Sequence, residues 1–133
     1  MTGMTIAADL PEETEQLIHQ TIGAAIEVHR HLGPGYIELI YERARCHELS
    51  LRSIAYEFEK PITVPYKGLQ IPGQRLDVVV DNRLILELKT VEAISPIHEA
   101  QLLSYLRSTG IRAGLIINFK VSQLKQGIRR FVL

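Results

Sequence analysis

The stretch Gln74-Arg75-Leu76-Asp77-Val78-Val79-Val80, Asp81-Asn82-Arg83, Leu84-Ile85-Leu86-Glu87-Leu88-Lys89 leaves this chain few folding choices. Two aliphatic runs split by a polar tripeptide predict a β-hairpin. Side chains alternate along a strand, so Leu84, Leu86 and Leu88 share one face while Ile85, Glu87 and Lys89 share the other. Loop length then decides where Asp77 falls. A two-residue turn would set Asp77 opposite Leu86 and put the two acids on opposite faces. A three-residue loop of Asp81, Asn82 and Arg83 pairs Val80 with Leu84 and Asp77 with Glu87, Cα atoms roughly 4.5 to 5.5 Å apart. The second register, or a bulge with the same effect, is the one predicted here.

Like charges directly opposite on a sheet are destabilising, so such a pair calls for a cation or a shared proton. Mg²⁺ is commonly held by one or two carboxylates, waters and phosphate oxygens, and Lys89 would stand beside it. The same residues also fit an amphipathic edge hairpin carrying a surface Glu-Lys pair.

The 133 residues, 46% of them hydrophobic, suit one domain over residues 1–133 with a single core. The acid-bearing N-terminus does not read as a signal peptide, and runs such as Leu115-Ile116-Ile117 are too short to span a bilayer. Cys46, the one cysteine, cannot form an internal disulfide or a cysteine-rich zinc site. A soluble, cytoplasmic protein is expected. The net charge of zero hides a gradient: residues 1–48 hold eight acids and three bases, whereas residues 100–133 hold six bases and no acid. The basic third, Arg107, Arg112, Lys120, Lys125, Arg129 and Arg130, suits either a polyanion or the acidic N-terminal helix.

Pro11 to about Leu32 carries a wide apolar stripe with acids at its start, which predicts a helix that Gly33-Pro34-Gly35 ends. A second helix is expected from about Tyr36 to Ser50, then extended segments at Ile54–Phe58 and Pro61–Tyr66 and a turn at Lys67-Gly68. After the hairpin, Pro96 opens a helix to about Ser108, closed by Gly110. Ala113–Phe119 reads as a buried strand, and Leu124–Leu133 as either a short helix or a final strand. A helix between two strands of one sheet is a crossover, so the strand after it should run parallel to a neighbour in a mixed sheet.

Glu38 and Tyr41 lie three apart on one helix face, and Glu38 is either a third acid over the sheet or a first-turn glutamate. His98, Gln101, Leu102 and Tyr105 form one stripe of the helix after Lys89, with Gln101 and Tyr105 able to border the same pocket. His98 lacks a second histidine at zinc-ligand spacing. No Gly-x-Ser-x-Gly or glycine-rich phosphate loop occurs, and Cys46 and His47, adjacent on a helix, diverge. A glycosidase-like pair of Glu38 and Glu87 leaves the lysine without a role.

Taken in order, Asp77, nine residues, Glu87-Leu88-Lys89 resembles the core of the PD-(D/E)XK nuclease superfamily, and Gly35-Tyr36-Ile37-Glu38-Leu39-Ile40-Tyr41 resembles the signature of its GxxExxY family. The likeness extends to His31-Leu32-Gly33-Pro34-Gly35, Arg75-Leu76-Asp77, the segment from His98 to Leu106, and Gly114 to Phe119. Leu76 stands where the superfamily name has proline. The resemblance implies an α/β, restriction-endonuclease-like αβββαβ core, with a mixed central sheet flanked by helices and an extra N-terminal helix. It implies a nuclease in which Asp77, Glu87 and the Leu88 carbonyl hold Mg²⁺ or Mn²⁺, Lys89 assists the attacking water and Glu38 supplies the helix acid. Gln101 and Tyr105, matching a Gln-x-x-x-Tyr motif, together with Arg75 and His98 would contact nucleic acid, DNA rather than RNA. A homodimer is compatible with cutting both strands. The competing expectation is a non-catalytic nucleic-acid-binding or assembly module that keeps the fold.

Overall fold

The computed structural model describes residues 9–133, so the first eight residues of the expected domain lie outside the described residues. Helix α1 spans Glu12–Leu32, with Leu17, Ile18, Thr21, Ala24, Ala25 and Val28 buried along one stripe and Glu12, Glu13 and Glu15 in its first turn. It stops at Gly33, whose φ of 73° favours glycine and whose N–H donates to the His29 carbonyl at 2.8 Å. Helix α2 spans Glu38–Leu51, starting two residues later than expected. Ile37 is extended and the Tyr36 N–H donates to the Tyr41 hydroxyl oxygen, so neither residue joins the helix.

Strands β1 (Tyr56–Tyr66), β2 (Leu69–Val80) and β3 (Leu84–Lys89) form an antiparallel meander. The two extended segments expected before Lys67-Gly68 are one strand. Pro61 and Pro65 are tolerated because β1 is a sheet edge. Helix α3 (Pro96–Thr109) then crosses over to β4 (Ala113–Asn118), which runs parallel to β3. The last segment is both of its expected alternatives in succession: a 3₁₀ turn at Leu124–Gly127, then β5 (Ile128–Val132), antiparallel to β4. The sheet order is β1-β2-β3-β4-β5.

Two apolar layers hold the sheet. Leu84, Leu86 and Leu88 join Val78, Val80, Leu115 and Ile117 against Leu17, Ile18 and Val28 of α1 and Tyr41 and Leu49 of α2. Ile85, Val79 and Ile116 pack on Leu102, Tyr105 and Leu106 of α3. The alternation read along β3 is therefore the one that builds the sandwich. Within the basic C-terminal third, Arg130 meets the Glu15 carboxylate through two hydrogen bonds of 2.8 and 2.7 Å, and Lys120 meets Glu92 at 2.8 Å. For Arg130 the partner is the acidic N-terminal helix, the less exotic of the two uses expected for that charge. None of the described helices is long and apolar enough to cross a membrane.

Candidate active site

Val80 pairs with Leu84, Val79 with Ile85 and Val78 with Leu86, which is the register that a three-residue loop imposes. Asp81 and Asn82 adopt φ of 50° and 55°, a left-handed conformation that short polar side chains tolerate, and the Arg83 N–H closes the turn on the Val80 carbonyl at 2.9 Å. One step further the structure departs from a simple ladder. The β2–β3 pairing ends at Val78 and Leu86, so Asp77 and Glu87 are not a ladder pair. On the other side, β1 pairs Phe58 with Val78 and Lys60 with Leu76, skipping Glu59 and Asp77, and Glu59 has a φ of 51°.

Asp77 is thus left out of both ladders. Leu76, two residues from Val78, packs into the α3-side layer while Val78 packs into the opposite one, so alternation breaks here. The carboxylate takes over what the missing ladder leaves: Asp77 Oδ2 accepts the Leu88 N–H at 2.9 Å. That bond ties the acid to the strand bearing Glu87 and Lys89 without requiring a regular pair.

Glu87 is only 7% exposed. Burial pushes its carboxyl up to about 8, the negative charge of Asp77 adds to the rise, and the charges of Lys89 and Arg45 oppose it. Tyr105 belongs to the same electrostatic neighbourhood. Its phenol is pushed up to about 12, by burial first and then by Glu87 and Asp77, and its hydroxyl oxygen accepts the Gln74 amide at 2.9 Å.

The remaining expected residues divide. Lys89 follows Glu87 on the same face of β3. Its backbone oxygen accepts the Phe119 N–H at 2.9 Å, and its Cα partner is Asn118. Gln101 is exposed on α3, and Arg75 is exposed with its guanidinium 3.8 Å from Glu59. His98 is engaged locally, since its Nδ1 accepts the Ser95 N–H at 3.1 Å and so caps the start of α3. Tyr41 is fully buried, donates its hydroxyl to the Gly33 carbonyl and stacks on Phe119 at 4.7 Å, so it shapes the α1–α2 connection rather than a pocket. Glu38 is the exposed first residue of α2, with its charge felt by Glu42.

Three residues that spacing and pattern did not single out matter here. Glu42, one turn after Glu38, has its carboxyl raised by burial, then by the charges of Asp77 and Glu38. Its signal was available, since Glu38 and Glu42 are four apart on one helix face. Asn118 is 2% exposed, and its amide accepts from the Val91 and Lys120 N–H groups and donates to the Val91 carbonyl, fixing the loop that leaves Lys89. Gln74 orients Tyr105, and no local pattern announces either of these two.

Hard oxygen donors, one of them a buried glutamate whose ionised form lacks enough positive charge around it, suit a hard divalent cation. Among the described residues no group of three or more His, Cys, Asp or Glu stands close enough to form a metal cage, so the fit is that of a site with two carboxylates. An α/β sandwich with a mixed five-stranded sheet, and with Asp77 hydrogen-bonded to the strand that carries Glu87 and Lys89, is consistent with a restriction-endonuclease-like core. A family model of the PD-(D/E)XK nuclease superfamily matches residues 15–131, and the chain belongs to that superfamily. Membership carries the coarse reading of a nuclease with nucleic acid as its substrate class, of a kind that typically uses divalent metals. No curated protein and no solved structure matches the chain.

Proposed function

We propose that this protein is a divalent-metal-dependent nuclease of the GxxExxY type that hydrolyses phosphodiester bonds, with DNA as its substrate. The observation that carries this reading is the carboxyl of Glu87, buried beside Asp77 and pushed up to about 8. Placing two acids and a lysine together where the β2–β3 pairing has ended costs stability, and binding of a cation accounts for that cost.

In this reading Asp77, Glu87 and the Leu88 carbonyl hold Mg²⁺ or Mn²⁺. Such an ion lowers the pKa of water and offsets charge on the phosphate. The Leu88 N–H, donating to Asp77 Oδ2, holds this carboxylate against the strand that carries Glu87. Lys89 positions the attacking water and opposes negative charge that grows on the phosphate oxygens. Water adds to phosphorus as the ester P–O bond breaks, and the departing oxygen takes up a proton. Tyr105 stays protonated through the neutral range, and because Gln74 donates to its oxygen, its own proton is free to be given to a phosphate or base. Glu38, together with Glu42, sets the charge at the rim from α2. Gln101 and Arg75 complete the proposed nucleic-acid contacts, and His98, whose Nδ1 accepts the Ser95 N–H, holds the start of α3 in place.

The test is cleavage of single- and double-stranded DNA and RNA with Mg²⁺ or Mn²⁺, beside Lys89→Ala and Glu87→Ala. Each variant should lose at least about 100-fold in rate. Undiminished cleavage by both would reveal a contaminant. Absence of cleavage by the wild type on every substrate would favour a non-catalytic nucleic-acid-binding or assembly module, a reading supported by the lack of a three-acid cage among the described residues.

A further inference from the structure

The buried stripe of α2 is Tyr41, Arg45 and Leu49, spaced four apart, so Arg45 sits between two core residues on the face that packs against the sheet. It is 2% exposed, and its Nε and Nη2 have no hydrogen-bond partner among the described residues. A guanidinium shut away from water is costly unless charge compensates it, and unpartnered N–H groups in a native site call for an explanation. Glu42 lies one turn before it on the same helix. The charge of Arg45 acts on both Glu42 and Glu87, opposing the rise in each. The carboxylates that its charge is shown to reach are therefore Glu42 and Glu87.

We propose that Arg45 is the internal counter-ion of the acidic pocket, offsetting Glu87 and Glu42 when no divalent ion is bound and so weakening the pocket's hold on such an ion. The inference rests on the metal-binding reading given above. Its physical basis is charge arithmetic. A fixed positive charge opposes entry of a doubly charged ion twice as strongly as that of a proton at the same place. Removing the charge therefore favours the metal ion even where a proton competes for the same carboxylates. A purely structural arginine would make no such difference, because loss of packing does not tighten a neighbouring cation site.

The experiment is calorimetric titration of the purified full chain with Mg²⁺, comparing wild type, Arg45→Met and Arg45→Lys. Methionine keeps much of the volume without charge, whereas lysine restores the charge. Arg45→Met should bind Mg²⁺ at least about tenfold more tightly, and Arg45→Lys should return to within about threefold of wild type. Equal or weaker binding by Arg45→Met, with binding by the wild type intact, overturns the role of Arg45 and leaves the metal site standing. Binding by neither protein removes both. If Arg45→Met does not fold, Arg45→Gln is heated with and without Mg²⁺. A larger Mg²⁺-induced rise in Tm than in wild type supports the proposal, and an equal or smaller rise overturns it.

Discussion

Replacing Glu87 with glutamine isolates the electrostatic strain of a carboxyl buried beside another. In the metal-free protein the folded state holds the Glu87 proton up to about pH 8, while the unfolded chain releases it near the ordinary value of 4.5. Stability from this group is fully present below 4.5 and declines as pH rises through the window to about 8, because the folded state binds more protons there. The slope approaches about 1.4 kcal/mol per pH unit, so the loss between about pH 5.5 and 7.5 is on the order of 2–3 kcal/mol. A change of that size moves Tm by on the order of 10 °C in a domain of this length. Urea unfolding in EDTA at both pH values, for wild type and Glu87→Gln, reads it directly. Groups remote from Glu87 behave alike in both proteins and cancel in the double difference. If the two proteins lose stability in parallel, burial is not holding a proton on Glu87, and the pocket has no electrostatic reason to seek a cation.

Two other outcomes follow from the same geometry. A carboxyl held up near 8 is mostly protonated at pH 7, so binding of Mg²⁺ there should release a proton, and the release should fall away as pH rises past that value. Calorimetry in buffers of different ionisation enthalpy measures this, and release that does not vary with pH would contradict it. Asn118→Ala strips three hydrogen bonds from the loop after Lys89 and should cost about 2–3 kcal/mol in urea unfolding. A cost below about 0.5 kcal/mol would mean that the loop holds its shape without that amide.

The strand hairpin, its three-residue loop and the faces of β3 were legible in the sequence, because alternation and turn length are local rules that leave little freedom. The crossover was legible for a similar reason: a helix between two strands forces a parallel pair, and β3 and β4 form it. Site membership was less so. Glu38 could be singled out from its spacing, but which α2 carboxylate lies under the influence of Asp77 depends on how the helix is rotated over the sheet, and the electrostatics single out Glu42. His98 reads as a pocket residue on a helical wheel, yet a hydrogen bond to Ser95 three residues away engages it.

The amino-acid order by itself determined which segments are helix and strand, the hairpin register, and the chemical types available near Asp77 and Glu87, since each depends on neighbours a few positions apart. Tertiary structure alone decided that Asp77 leaves both ladders and bonds the Leu88 N–H, that Arg45 is walled in without a hydrogen-bonded counter-charge at Nε and Nη2, and that Glu87 retains its proton to about pH 8. Those three facts turn on strand pairing, packing and loss of water around particular atoms. Such quantities arise only when segments far apart along the chain are brought together.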